Sequence, residues 1–342
     1  MQNLDQRKFR KLGKSDLNVS TIIFGAWAIG GWMWGGLGRD GEKDAINAIH
    51  AAVDGGATSI DTAAVYGYGR SEEIVGRAIA KIKGGRDKVQ ILTKYGLRWD
   101  STEGEHFFDW TEEGHTKNIF RNARKKSIIL ECENSLRRLK TDYIDLYQCH
   151  WRDHTTPVSE TMEAMLQLIQ QGKIRAAGVS NFTAEDIADC EQICPIASNQ
   201  PPYSMVYRKI EQDVLPYCRE HDIATIVYSP LQRGLLTGKF KPDHVFADGD
   251  HRANQKEFQP QNISRINDFL QKIKPIADEH GATLGQLVIA WTIARPGITA
   301  ALVGARDAAQ TEQNLKAQDL ILSNDEIAQI DRHLQSLQLI TA

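Results

Sequence analysis

Thr58-Ser59-Ile60-Asp61-Thr62-Ala63-Ala64-Val65-Tyr66-Gly67-Tyr68-Gly69 begins as a short strand-forming run and breaks into a glycine-rich loop at an aspartate. Two later stretches repeat that plan. Val89-Gln90-Ile91-Leu92-Thr93-Lys94 runs out on a lysine, and Tyr143-Ile144-Asp145-Leu146-Tyr147-Gln148-Cys149-His150-Trp151 on a histidine and a tryptophan. Working outward, we find eight strand candidates: 21–24, 58–61, 89–94, 143–148, 175–179, 196–199, 224–228 and 300–303. Amphipathic helical runs separate them. Ala45, Ile46, Ile49, Ala52 and Val53 precede Gly55-Gly56, while Ile74, Val75, Ala78, Ile79 and Ile82 follow the N-cap candidate Ser71 and precede Gly84-Gly85. Strands alternating with helices require a parallel sheet, and eight such units predict a closed α/β barrel, the (β/α)8 TIM barrel. The segment KFRKLGKSDLNVST ahead of it reads as an N-terminal β-hairpin.

The 342 residues suit one barrel domain over 1–342, and no linker or repeat divides them. The hydrophobic content of 41%, charged content of 25% and net charge of −3 give no electrostatic reason to expect nucleic acid or membrane as partners. The N-terminus lacks an apolar targeting segment, so we expect a cytoplasmic protein acting on a diffusible small molecule. Cys132, Cys149, Cys190, Cys194 and Cys218 lie among apolar residues and read as small core side chains, with no metal site. Segments 97–123 and 238–262 read as long βα loops over the C-terminal face of the barrel, and 323–337 as a final helix.

Strand ends of a barrel converge on one mouth, so Asp61, Lys94 and His150 are expected to meet there, with Tyr66 folding back over them. A phenol of ordinary pKa about 10 is a weak acid, and a neighbouring ammonium lowers that value. Lys94 is expected to do this for Tyr66, with Asp61 holding the lysine charged. His150 then donates to a carbonyl oxygen or relays a proton. Each residue alone has a structural explanation; the four together favour catalysis.

In its motifs the chain resembles the aldo-keto reductase superfamily, in particular bacterial members similar to the general-stress aldo-keto reductases, monomeric or weakly oligomeric. The matching residues are Asp61-Thr62-Ala63 leading to Tyr66-Gly67-Tyr68-Gly69-Arg70-Ser71-Glu72, then Thr93-Lys94, Asp142 to Trp151, Gly172-Lys173-Ile174-Arg175, Gly178 to Phe182, and Gly304-Ala305-Arg306 with Gln310 and Asn314. The resemblance implies NADP(H), with NAD(H) as the other cofactor to consider, and proton donation from Tyr66 to an aldehyde or ketone. It implies that Ser180, Asn181 and Gln200 hold the nicotinamide carboxamide and that Tyr228 stacks on its ring. Ser229, Leu231, Gln232, Gly234, Leu236, Thr237, Gly238 and Lys239 would line the pyrophosphate loop. Arg306 would meet the 2′-phosphate, with Asp307 beside it weakening that preference, and Trp27, Gly304, Gln310, Gln313 and Asn314 would complete the cofactor set.

A rival motif is Gly36-Leu37-Gly38-Arg39-Asp40-Gly41, which matches the dinucleotide fingerprint. Its glycines start eleven residues after Gly25, with Trp32-Met33-Trp34 between, whereas a Rossmann loop turns straight from strand to helix. We read it as the first βα loop. Where relatives carry proline after His-Trp, this chain has Arg152. Arg152, Trp34 and Trp151 are the expected substrate contacts, Arg152 for an acidic or sugar-derived aldehyde; the other reading pairs Arg152 with Asp153 or Asp100. A sugar or polyol dehydrogenase acting mainly in oxidation, and a cofactor-bound regulatory subunit, are the alternative functions.

Overall fold

The computed structural model describes residues 5, 7–34, 41–112, 114–247 and 249–340. Of the dinucleotide-like run Gly36 to Gly41, residues 36–40 lie outside them. β1 (Phe9–Lys11) and β2 (Asn18–Ser20) pair antiparallel as the expected hairpin. Next come β3 (Ile22–Gly25), α1 (Gly41–Asp54), β4 (Ser59–Asp61), α2 (Arg70–Ile79) and β5 (Gln90–Tyr95). A small sheet is inserted here, built from β6 (Leu97–Arg98), β7 (Glu105–Glu112) and β8 (His115–Arg121). The chain continues through α3 (Lys125–Leu139), β9 (Ile144–Cys149), α4 (Val158–Gln170), β10 (Ile174–Ser180), α5 (Ala184–Glu191) and β11 (Ile196–Gln200). It ends with α6 (Val214–Glu220), β12 (Ala224–Val227), α7 (Pro260–Glu279), α8 (Leu284–Ala294), β13 (Ile298–Gly304), α9 (Ala308–Leu315) and α10 (Asn324–Gln335).

The eight expected strands are the eight staves of a closed parallel barrel in the order β3-β4-β5-β9-β10-β11-β12-β13, with β13 returning to β3. Two apolar layers hold it. One, with Ile23, Leu92, Leu146, Ala176, Ile226 and Ala300, fills the barrel and is plugged by Leu12, Leu17 and Val19 of the hairpin. The larger one lies between staves and helices and takes in all five cysteines, which are free and buried.

Three local readings are corrected. Segment 97–123 is not an irregular loop, because β8 pairs on both sides to make an antiparallel sheet in the order β6-β8-β7. Ser71 does not cap α2. Gly69, at φ +99°, occupies that position, and the Ser71 hydroxyl instead donates to the Ala26 carbonyl at 2.7 Å, tying α2 to the first stave. α2 also stops at Ile79, before Ile82 and the Gly84-Gly85 pair. Among the described residues no helix is long and apolar enough to cross a membrane.

Candidate active site

Barrel closure sets the site's geometry. Lys94 on β5 stands level with Gln148 on β9, Gln148 is level with Gly178 on β10, and Ser180 is level with Gln200 on β11. Asp61 ends β4. The buried side chains of Asp61, Lys94, Gln148 and Gln200 join across the lumen. Lys94 Nζ donates to Asp61 Oδ1 at 2.5 Å and to the Thr62 carbonyl at 2.9 Å. Gln200 Nε2 and Gln148 Nε2 donate to Asp61 Oδ2 at 2.8 and 3.4 Å. Glycine at 178 makes room, since a Cβ there would lie 3.1 Å from Gln148 Cγ and 2.7 Å from Ser198 Oγ. A buried ion pair stands only when its remaining lone pairs are satisfied, and the two glutamines do this for Asp61. Burial pushes the Asp61 carboxyl up and the Lys94 ammonium down, and each charge pulls the other back.

Tyr66 stands over this pair, with Lys94 Nζ 5.1 Å from its ring centre. The turn that places it needs Gly67, at φ +61°, where a Cβ would strike the Gly30 carbonyl at 2.5 Å. The His150 imidazole meets the Tyr66 ring edge-on, centres 5.7 Å apart and planes 80° apart. The backbone fixes this histidine at both ends: its amide donates to the Tyr95 carbonyl and its carbonyl accepts from Asn181 Nδ2. Burial, then the Lys94 charge, hold His150 well below the ordinary imidazole pKa, so the ring is neutral. The Tyr66 phenol moves opposite to expectation: burial, then the Asp61 charge, raise it well above the ordinary value. The Tyr66 hydroxyl therefore holds its proton at neutral pH and is available as a donor. Among the described residues neither the Tyr66 hydroxyl nor the His150 ring nitrogens have a hydrogen-bond partner.

The residues expected to hold a cofactor lie along the same rim. Asn181, at φ +61°, bridges the Ser180 hydroxyl and the His150 carbonyl through Nδ2 and accepts from the Tyr228 hydroxyl at 2.8 Å, so Tyr228 is braced beside the mouth. After β12, Ser229, Gln232, Arg233 and Gly234 all take positive φ. Such a coiled backbone forms anion-binding concavities, which fits a pyrophosphate. The Gln232 side chain does other work, accepting from Ser204 Oγ and donating to Glu257. Leu236, Thr237 and Gly238 form and close a single 3-10 turn, and Lys239 beyond it is exposed. The exposed Arg306 guanidinium has no ion-pair partner among the described residues. Asp307 does not neutralise it, because that carboxylate caps α9 through the Gln310 amide and binds Gln310 Nε2. Asn314 donates to the Gly304 carbonyl and Gln313 is held by Gln286. A cation and a coiled loop at one rim suit an extended, phosphate-rich cofactor.

The expected substrate contacts divide. Trp34 packs against Trp27, and Trp151 against Phe107 of the inserted sheet. Arg152 is placed otherwise: its guanidinium donates to the Asp153 and Thr156 carbonyls and faces Asp186, so it closes the loop before α4 instead of reaching Tyr66. Sequence reasoning missed Gln148, which stood inside the strand motif, and His251, which sits in segment 238–262 against Trp27 and Trp34.

The model of the aldo/keto reductase family matches residues 21–335. Curated relatives include aldo-keto reductase YhdN of Bacillus subtilis, 40% identical over 89% of this chain and 87% of that protein, and the NADH-specific methylglyoxal reductase of Escherichia coli, 36% identical over 92% and 94%. Among solved structures, the glycerol dehydrogenase AKR11B4 of Gluconobacter oxydans superposes with a TM-score of 0.86 at 37% identity, covering 98% of this chain and 97% of that one. An aldo-keto reductase of Klebsiella pneumoniae in complex with NADPH superposes at 0.70 and 32%, covering 95% and 94%.

Proposed function

The chain belongs to the aldo/keto reductase family and is an oxidoreductase that uses NAD(P)H to reduce carbonyl compounds, and we propose that it reduces a small neutral aldehyde or ketone to the alcohol with NADPH, Tyr66 being the proton donor. The observation that carries this reading is the pairing of two neutral groups without hydrogen-bond partners among the described residues, the Tyr66 hydroxyl and the His150 imidazole, edge to face above the Asp61–Lys94 ion pair. When bound, the reduced nicotinamide supplies the hydride for the carbonyl carbon. The His150 N–H and the Tyr66 O–H both point their polarity at the carbonyl oxygen, and as negative charge grows there the Tyr66 proton crosses to it. Lys94 stabilises the phenolate left behind from its place over the ring, and Asp61 keeps that ammonium charged although it is buried.

Two placements refine the substrate. With Arg152 bound to backbone carbonyls, no free cation of the β9 loop awaits an acidic aldehyde. The neighbour of TM-score 0.86 is a glycerol dehydrogenase, which favours small hydroxylated compounds and supports reversibility. For the cofactor, the unneutralised Arg306 favours a 2′-phosphate, against the example of the NADH-specific relative. The test is Tyr66→Phe, which removes the acid but not the ring. NADPH should still bind with the affinity of the parent protein, while carbonyl reduction should fall at least about a thousandfold, within the range that positioned acid catalysis provides. Retained turnover would overturn the assignment.

A further inference from the structure

Beside the four catalytic residues lies a group of buried nitrogens without partners among the described residues: Nε1 of Trp27, Nε1 of Trp34 and Nε2 of His251. Their rings form a triangle, with centres 5.2 Å apart for Trp27 and Trp34, 5.1 Å for Trp27 and His251, and 5.0 Å for Trp34 and His251. Trp27 in turn lies 6.2 Å from the Tyr66 ring. The triangle is built, not incidental. Trp34 bridges to Asp250, the His251 amide donates to the Met33 carbonyl, and Arg252 covers the Trp34 ring at 4.9 Å while paired with Asp250.

The hydrogen-bonding character of each nitrogen can be assigned. An indole N–H only donates. His251 Nδ1 lies 2.7 Å from the Met33 carbonyl, and a carbonyl only accepts, so Nδ1 carries the proton and Nε2 presents a lone pair. Burial, together with the Arg233 and Arg252 charges, lowers the His251 pKa and keeps the ring neutral. Buried donors and a buried acceptor are therefore carried by three rings in mutual contact, one of which also meets the Tyr66 ring. An alkyl chain satisfies none of them, and a carboxylate cannot donate to Nε2. Arg252, the cation at this spot, is already committed to Asp250. A hydroxyl group satisfies both kinds at once, accepting from an indole and donating to the imidazole.

We propose that Trp34 and His251 form a hydroxyl-recognition site that makes the enzyme select short-chain hydroxyaldehydes and hydroxyketones. This rests on the carbonyl-reductase reading above and names its substrate class. His251 is then a specificity-determining residue contributed by the 238–262 segment, reaching the mouth only because that segment is locked to the first βα loop.

The experiment compares kcat/KM for glyceraldehyde and for propanal, which differ in their hydroxyl groups, following NADPH oxidation. The parent protein should favour glyceraldehyde. His251→Phe, which keeps the aromatic contacts but removes the acceptor, should lower the glyceraldehyde-to-propanal ratio about tenfold, as the loss of one buried hydrogen bond would. His251→Gln, which restores an acceptor, should recover most of the ratio. Trp34→Phe should also lower it, and decides the matter if His251→Phe fails to fold. An unchanged ratio, or an equal loss on both aldehydes, overturns the hydroxyl site while leaving the reductase reading intact. Failure of the parent protein to reduce either aldehyde overturns both.

Discussion

Lys94→Met tests whether the ion pair under Tyr66 is held as the geometry implies. At 2.5 Å and an effective dielectric constant of about 20, the gross attraction between Lys94 and Asp61 is about 7 kcal/mol. Most of it is spent on removing both charges from water. Methionine fills the lysine's volume but, among the described residues, leaves Asp61 with only Gln200 and Gln148 as donors. Deleting one partner of a buried pair costs about 3–5 kcal/mol, and we expect that loss in guanidinium unfolding. Asp61→Asn added to Lys94→Met removes the orphan charge and should recover most of it. The sign with pH follows from the Lys94 charge, which lowers the Asp61 pKa in the native protein. Without it the carboxyl rises further above its unfolded value. The variant's fold then holds a proton over a pH range in which the parent's fold and the unfolded chain have both given it up, so its stability relative to the parent falls as pH rises above the parent's raised Asp61 pKa and levels off once Asp61 ionises in the variant's fold. The deficit should be larger at pH 8 than at pH 5. A single-variant loss below about 1 kcal/mol, or a double variant no better than the single, would refute the reasoning.

Two further outcomes are expected. Because His150 is held neutral well below the ordinary imidazole range, kcat/KM should show no inflection near about pH 6.5; one that vanished in His150→Gln would contradict the neutral assignment. Arg306→Ala should weaken NADPH binding about 10- to 100-fold, the range of a charge-assisted contact, with NADH affinity changed less than about twofold in a fluorescence titration; equal losses would remove Arg306 from the 2′-phosphate.

The barrel was legible because each stave is a short β-branched run between amphipathic helices, and the eight periods survive even where the strand is three residues long, as at Ser59–Asp61. Asp61, Lys94 and His150 were legible as polar side chains standing where those apolar runs stop. The inserted sheet was not. β7 mixes aromatic with charged residues and does not alternate, and β8 opens with four polar, exposed residues, so their pattern looks like a polar loop, although Gly114 between them marks a hairpin. Arg152 was misplaced for a different reason. Sequence reports its charge and neighbourhood, but whether a guanidinium meets substrate or the Thr156 carbonyl depends on the path of the next few residues. Tyr66 shows the same limit for pKa: Lys94 was expected to lower it, but burial, which sequence does not report, and then the Asp61 charge both raise it. His251 was invisible because its partners, Met33 and Trp34, are more than two hundred residues away.

These placements separate chemistry from selectivity in a physically definite way. Asp61, Lys94, Gln148 and Gln200 form one network spanning β4, β5, β9 and β11, so a change in any of them disturbs barrel closure and the proton donor together. Trp34 and His251 instead depend on each other. Their support is a loop-to-loop lock through Met33, Asp250 and Arg252, and Trp27 links it to the Tyr66 ring. Trp27 is a shared partner of Trp34, His251 and Tyr66, so substitutions on the two sides of it are expected to couple only through that one ring. On the proposed reading, substitutions at Trp34 and His251 should alter which carbonyl compound is taken more than the chemistry at Tyr66, whereas substitutions at Lys94 should lower turnover of every carbonyl compound alike.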